Sequence, residues 1–131
     1  GSEMCIRDRE VTMYITSLLT LQNQLRIFHW QTTSYAEHKA FGKAYESLDG
    51  LIDSFIETMM GKKGRILSNG GFNIQLGNYR ETDPVAFLKH CDALLTSLDS
   101  ELSETDTDLK NIRDDMKGVV NHTLYLLTLN K

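Results

Sequence analysis

The chain is 131 residues long and carries 14 basic against 18 acidic side chains, a formal net charge of -4. That length makes one domain with a core, taken as residues 3–131 because Gly1-Ser2 reads as the remnant of a cleaved tag. The acidic balance argues against binding phosphate backbones, and no run approaches about eighteen apolar residues, so neither DNA nor a membrane is an expected partner.

Residues 9–34 form the first periodic segment. Val11, Tyr14, Ile15, Leu18, Leu21, Leu25 and Phe28 recur at three- and four-residue spacings and predict one broad apolar stripe of a helix. Thr32, Thr33 and Ser34 interrupt it with residues that favour turns and caps. Ser34 followed by Glu37 has capping-box spacing, which starts a second helix near Tyr35 and carries it to about residues 60–62. Its stripe is Phe41, Ala44, Tyr45, Leu48, Ile52, Phe55 and Met59. Gly61, Gly64, Gly70 and Gly71 end that helix, and residues 66–82 show no period, with Asn73 to Tyr79 open to either a short helical turn or a lid. Asp83-Pro84 is a restart signal, Asp as cap and the only proline at the first helical position. Phe87, Cys91, Leu94, Leu95, Leu98 and Leu102 give the third stripe. Thr105 or Thr107 then caps a fourth, made by Leu109, Ile112, Met116, Val119, Val120, Thr123 and Leu127. There is no strand alternation. The pattern predicts an all-α, ferritin-like four-helix bundle with a long crossover between helices 2 and 3. Beyond Leu124 the last helix is apolar nearly all round, through Tyr125, Leu126, Leu127 and Leu129, which predicts burial against another subunit.

Metal-capable side chains gather around the first turn. His29 and Trp30 close the first segment, and His38 opens the second helix. Asp53 and Glu57 stand four residues apart on one face of that helix, with Glu46 and Asp49 beside them as auxiliary candidates. At 100° per residue from Phe41 the pair lies roughly 120° and 160° round, flanking the core stripe. His29, His38, Asp53 and Glu57 make a nitrogen-and-oxygen ligand set if folding or assembly joins them, while a solvated helix face is the plainer account of the carboxylates. Trp30 either packs or donates an electron to a nearby oxidant. Elsewhere, Lys62, Lys63 and Arg65 cluster at a helix end, His90 and Cys91 diverge as helix neighbours, and His122 is open as an extra ligand or interface residue, a surface histidine being the plainer account. Cys5 and Cys91 form no C-x-x-C pair, which points to a reducing, cytoplasmic compartment.

These residues carry a resemblance. His29-Trp30 at the end of the first helix, His38 at the start of the second, and Asp53-x-x-x-Glu57 fifteen residues on resemble the pattern of the Dps-type miniferritins. The resemblance covers both central helices and, more loosely, the whole bundle. It implies a shell of twelve identical subunits with Fe(II) bound and oxidised by peroxide or oxygen at two-fold interfaces, a di-iron site in its fullest form, with zinc able to stand in. The histidines would come from one subunit and the carboxylates from its partner. Two departures leave an incomplete ferroxidase motif. The family's usual aspartate, four residues after the second histidine, is Gly42 here, and the His29–His38 interval is about three residues short. If Gly42 stands in a ligand's place, Gly42→Asp is expected to strengthen the site. The residues agree with an interface site, because a centre inside one bundle needs Glu-x-x-His motifs and the chain has none. A non-catalytic ferritin-like assembly or partner-binding protein, with a vestigial or structural metal, is the alternative function. Residues 3–10 hold two arginines against three acids and offer no basic DNA-binding tail.

Overall fold

The computed structural model describes the backbone of residues 2–129 and the side chains of residues 12–129; Gly1 and the side chains of residues 2–11, Cys5 and Val11 among them, lie outside the described residues. Among the described residues there are four helices: α1 (Ser2–Gln31), α2 (Tyr35–Lys63), α3 (Pro84–Ser97) and α4 (Thr107–Leu127), with a 3-10 turn (Leu98–Glu101) extending α3. Helix α1 begins well before residue 9, the start that apolar periodicity alone suggested. Among the described residues no helix is long and apolar enough to cross a membrane.

The local signals act as their chemistry requires. Ser34 is the extended N-cap of α2, its side chain accepting the Glu37 N–H. Asp83 caps α3 through the Ala86 N–H with Pro84 inside the first turn. Gly64 stops α2 at φ 87°, a conformation that favours glycine.

Packing fixes the topology. Phe28 at the end of α1 meets Phe87 at the start of α3, rings 5.8 Å apart, whereas Tyr14 near the other end donates to the Ser97 carbonyl at 3.5 Å. Lys62 at the end of α2 reaches Asp106 and Asp108 at the start of α4. The helices therefore run up, down, down, up, and residues 64–83 cross the full length of the bundle between α2 and α3. The expected bundle with its long crossover is present, and the 73–79 segment takes no helical turn. A core of Leu18, Leu21, Leu25 and Phe28 meets Phe41, Leu48, Ile52 and Phe55 of α2, with Leu88, Leu95, Leu109 and Met116 closing it.

Two boundaries differ from expectation. The α3 stripe was read through Leu102, yet the α-helix ends at Ser97 and tightens into the 3-10 turn. The buried Arg113 explains this: its Nη1 donates to the Leu95 carbonyl at 3.1 Å and its Nη2 holds Asp99 at 2.8 Å. The Leu95 carbonyl is the one that Asp99 N–H would take in a continuing α-helix. The cap of α4 is Asp106, not Thr105 or Thr107. It makes no side-chain bond to its own helix; its carboxylate accepts from Ser103 N–H at 2.9 Å and from Lys62 at 3.1 Å.

Candidate metal centre

The turn between α1 and α2 puts His29 and His38 face to face. Their rings stack 3.8 Å apart and 15° from parallel. His29 Nδ1 lies 2.6 Å from the His38 carbonyl, and His38 Nδ1 lies 2.8 Å from the His29 carbonyl. A carbonyl oxygen only accepts, so in both rings Nδ1 carries the proton and donates it. Each Nε2 is left without a protein partner among the described residues. In a neutral imidazole that atom then holds the lone pair, the arrangement common to metal-binding histidines.

The pairing is also what ends α1. The last carbonyls of a helix have no intrahelical donor. Phe28 O accepts from Thr32 N–H at 3.0 Å, and His29 O takes its proton from His38 instead. Around the pair, Tyr45 meets His29 edge-on at 5.3 Å and lies under the Arg26 guanidinium at 4.8 Å. Tyr35, its ring 6.4 Å from that of His38, and Trp30, next to His29 in the sequence, have 74% and 65% of their surfaces exposed, so Trp30 does not pack into its own core.

A buried polar network lies alongside. Glu37 accepts from Thr32 Oγ1 at 2.8 Å and from Tyr79 OH at 2.6 Å. Burial, reinforced by the Glu37 carboxylate, pushes the Tyr79 phenol up to about 12. Gln24 and Gly77 exchange two bonds of 2.8 Å, and Gln31 receives Tyr79 N–H while donating to Asn78. Residues 77–79 of the crossover are thereby pinned against the same corner of the bundle. None of Gln24, Gln31 or Tyr79 stood out in the sequence as functional. For Gln24, a glutamine buried within an apolar helical period is the signal that was available; Gln31 is exposed and carries none.

The carboxylates lie elsewhere. Asp53 and Glu57 are exposed and make no hydrogen bond or ion pair among the described residues. Asp49 accepts from Gln22 at 2.7 Å, and Glu46 is exposed. His38 and Asp53 are fifteen residues apart in one helix, roughly 22 Å by the rise per residue. The fold therefore joins His29 with His38 and Asp53 with Glu57, but not the two pairs. Among the described residues no group of three or more His, Cys, Asp and Glu side chains could hold a metal within one chain.

Gly42 is buried in α2 directly beneath His29. A Cβ there would stand 2.9 Å from Cε1 and 3.0 Å from Nδ1 of His29. Position 42 is thus next to the candidate ligand, but the simple expectation for Gly42→Asp does not survive, since even the first carbon of an aspartate meets the imidazole.

The other candidates resolve as structure. Lys62 bonds Asp106 and Asp108 at 3.1 and 2.5 Å, and Lys63 approaches Asp106 at 3.7 Å, so of that basic cluster Arg65 alone lacks an ion-pair partner among the described residues. Cys91 is buried, and burial pushes its thiol up to about 12, which makes it an inert core residue. His90 and His122 are exposed.

Two comparisons with known proteins bear on this arrangement. A family model described as a family of unknown function (DUF5856) matches residues 29–127, a span opening at His29. An uncharacterized 14.6 kDa protein from the mobD–ri intergenic region of Enterobacteria phage T4 is 30% identical over 116 residues, covering 88% of this chain and 86% of its own length. No solved structure matches the chain.

Proposed function

The chain belongs to DUF5856, a family of unknown function, so membership brings no activity with it, and we propose that the protein is a miniferritin-like iron-binding protein whose metal sites form between two copies. Each site takes His29 and His38 from one subunit and Asp53 and Glu57 from the other. The observation that carries this reading is the reciprocal Nδ1–H to carbonyl pairing, which leaves two adjacent, half-buried imidazoles with unshared Nε2 atoms. Exposed, unpaired carboxylates roughly 22 Å away are of no use to those imidazoles within one chain. A two-fold related copy supplies them, and each operation of such an axis creates two equivalent sites. Exposed Trp30 and Tyr35 beside the histidines give that contact aromatic surface to bury. As in the miniferritins, a closed shell of twelve subunits is the assembly that fits such sites.

Fe(II) is the substrate, held by borderline imidazoles and hard carboxylates and oxidised by peroxide or oxygen. What this chain contributes is orientation: the two carbonyl-anchored rings fix which nitrogen faces the ion, and Glu37 and Tyr79 brace the turn that holds them. A non-catalytic version, binding a structural metal without turnover, is favoured by one observation: the space at position 42, where the miniferritins carry an additional carboxylate, is filled by the His29 ring against Gly42. Metal titration and stopped-flow Fe(II) oxidation on wild type, His29→Ala and Asp53→Ala separate these readings. Iron oxidation above the protein-free rate that both variants lose supports the first. Binding without oxidation supports the second, and wild-type-like binding by both variants removes the ligand set altogether.

A further inference from the structure

Gly42 sits where a functional carboxylate was expected, and its surroundings give it a different task. Its backbone is buried under His29, close enough that any Cβ would fall 2.9 Å from Cε1 and 3.0 Å from Nδ1 of that ring. Contacts under 3.0 Å are essentially never tolerated, so the ring or the helix has to move. The ring is not free to move without loss. It is held by the 2.6 Å bond from its Nδ1–H to the His38 carbonyl, by the 3.8 Å stack on the His38 ring, and by the edge of Tyr45. The His38 carbonyl lies one turn before residue 42 in α2, where the side chain of residue 42 would ordinarily screen it from a neighbouring helix. A missing Cβ at that one position is what lets an imidazole from α1 reach it.

We propose that Gly42 is a positioning residue for the metal site: by admitting the His29 ring to the α2 backbone it fixes His29 in the Nδ1-protonated tautomer and keeps Nε2 as the ligand atom. The metal part of this rests on the reading given under Proposed function; the tautomer part stands on the geometry alone. The residue thus takes the place of a ligand in the sequence while acting through another ligand in space. Gly50, exposed in the same helix with nothing within 4 Å of an added Cβ, is the matched control.

The test uses Gly42→Ala and Gly50→Ala in the full-length protein, with histidine-selective isotope labelling to read ring protonation by NMR and Zn(II) titration to read affinity. Alanine favours a helix more than glycine does, so neither change should unwind α2 by propensity. Gly42→Ala is expected to abolish the Nδ1-protonated signature of His29 and to weaken Zn(II) binding about 10- to 100-fold, the range typical of lost outer-shell support. Gly50→Ala should change neither. An unaltered His29 signature in Gly42→Ala overturns the proposal, as does an altered signature with wild-type Zn(II) affinity. Should the wild type bind no Zn(II), the metal reading falls while the His29 signature still decides the tautomer claim. If Gly42→Ala folds poorly, the double variant His29→Ala/Gly42→Ala settles the cause. Removing the ring should erase the penalty, leaving it as stable as His29→Ala alone, whereas a penalty that persists without the ring contradicts the proposal.

Discussion

The two ends of this bundle are both rich in buried or half-buried polar groups, and they differ in whether those groups are used up. At the far end, Lys62, Lys63, Asp106 and Asp108 neutralise one another, and Arg113 spends its guanidinium on Asp99, Asp114 and the Leu95 carbonyl. At the near end, His29 and His38 bind each other's backbone through Nδ1 and stop there, each with a second ring nitrogen unspent. The lesson is that polarity alone does not mark a site. A cluster whose valences are satisfied internally holds the fold, while one that is rigidly anchored yet incomplete is fitted for a ligand.

Changes at either end sharpen this contrast. The largest effect is expected from Phe28→Ala. Phe28 is fully buried under the near end, with Phe41, Tyr79 and Phe87 rings 5.5 to 5.8 Å from its own. Loss of about 3–5 kcal/mol in urea unfolding is expected. A loss below about 1 kcal/mol would mean that the histidine end is loosely packed and its ring geometry unsupported. Next comes Arg113→Ala at the far end. It removes one of the donors to the Leu95 carbonyl, which keeps the Leu98 N–H, and frees Asp99, for an expected cost of about 2 kcal/mol with Zn(II) affinity unchanged. Altered metal binding in this variant would blur the division between the two ends.

Tyr79→Phe removes one donor from buried Glu37. About 1–1.5 kcal/mol should be lost, and limited proteolysis should cut residues 64–83 faster, because the pinned crossover is loosened. Unchanged cleavage would show that Gln24 and Gln31 hold the segment unaided.

The smallest effect is a pH dependence at the far end. The Ser103 N–H and the Lys62 ammonium hold the Asp106 carboxyl at about 2, below its ordinary 3.8. A depressed folded-state value contributes stability above the unfolded value, and that contribution is lost as pH falls from about 4 towards 2. The stability gap between wild type and Asp106→Asn should therefore narrow across that window. A constant gap would assign Asp106 to capping geometry and not to charge.

How far the sequence carried is best seen residue by residue. Ser34 with Glu37 and Asp83 with Pro84 placed two helix starts correctly, because caps are local chemistry and need nothing from the rest of the chain. The end of α3 was missed because its cause, Arg113, lies in another helix; nothing in the spacing of Leu98 and Leu102 reports a guanidinium on the Leu95 carbonyl. The α4 cap was missed for a related reason, since Asp106 bonds backward to Ser103 and across to Lys62. At the site, a separation of nine positions between His29 and His38 suggested proximity, but the tautomers follow only from which carbonyl each Nδ1 reaches. Gly42 looked like a lost ligand because a sequence shows what a residue lacks, whereas the space its missing Cβ yields to His29 is a property of the packed pair of helices.

The claim that the two half-sites complete each other across an interface has a direct test in complementation. His29→Ala and Asp53→Ala each disable one half. The two are unfolded together at equal concentration, refolded, and titrated with Zn(II). Random pairing about a two-fold axis makes half the pairs mixed, and one of the two sites in each mixed pair then has intact histidines facing intact carboxylates. Recovery of about one quarter of the wild-type sites is predicted, against none in either variant refolded alone. A mixture that binds no more Zn(II) than its separate components would contradict the inter-subunit site.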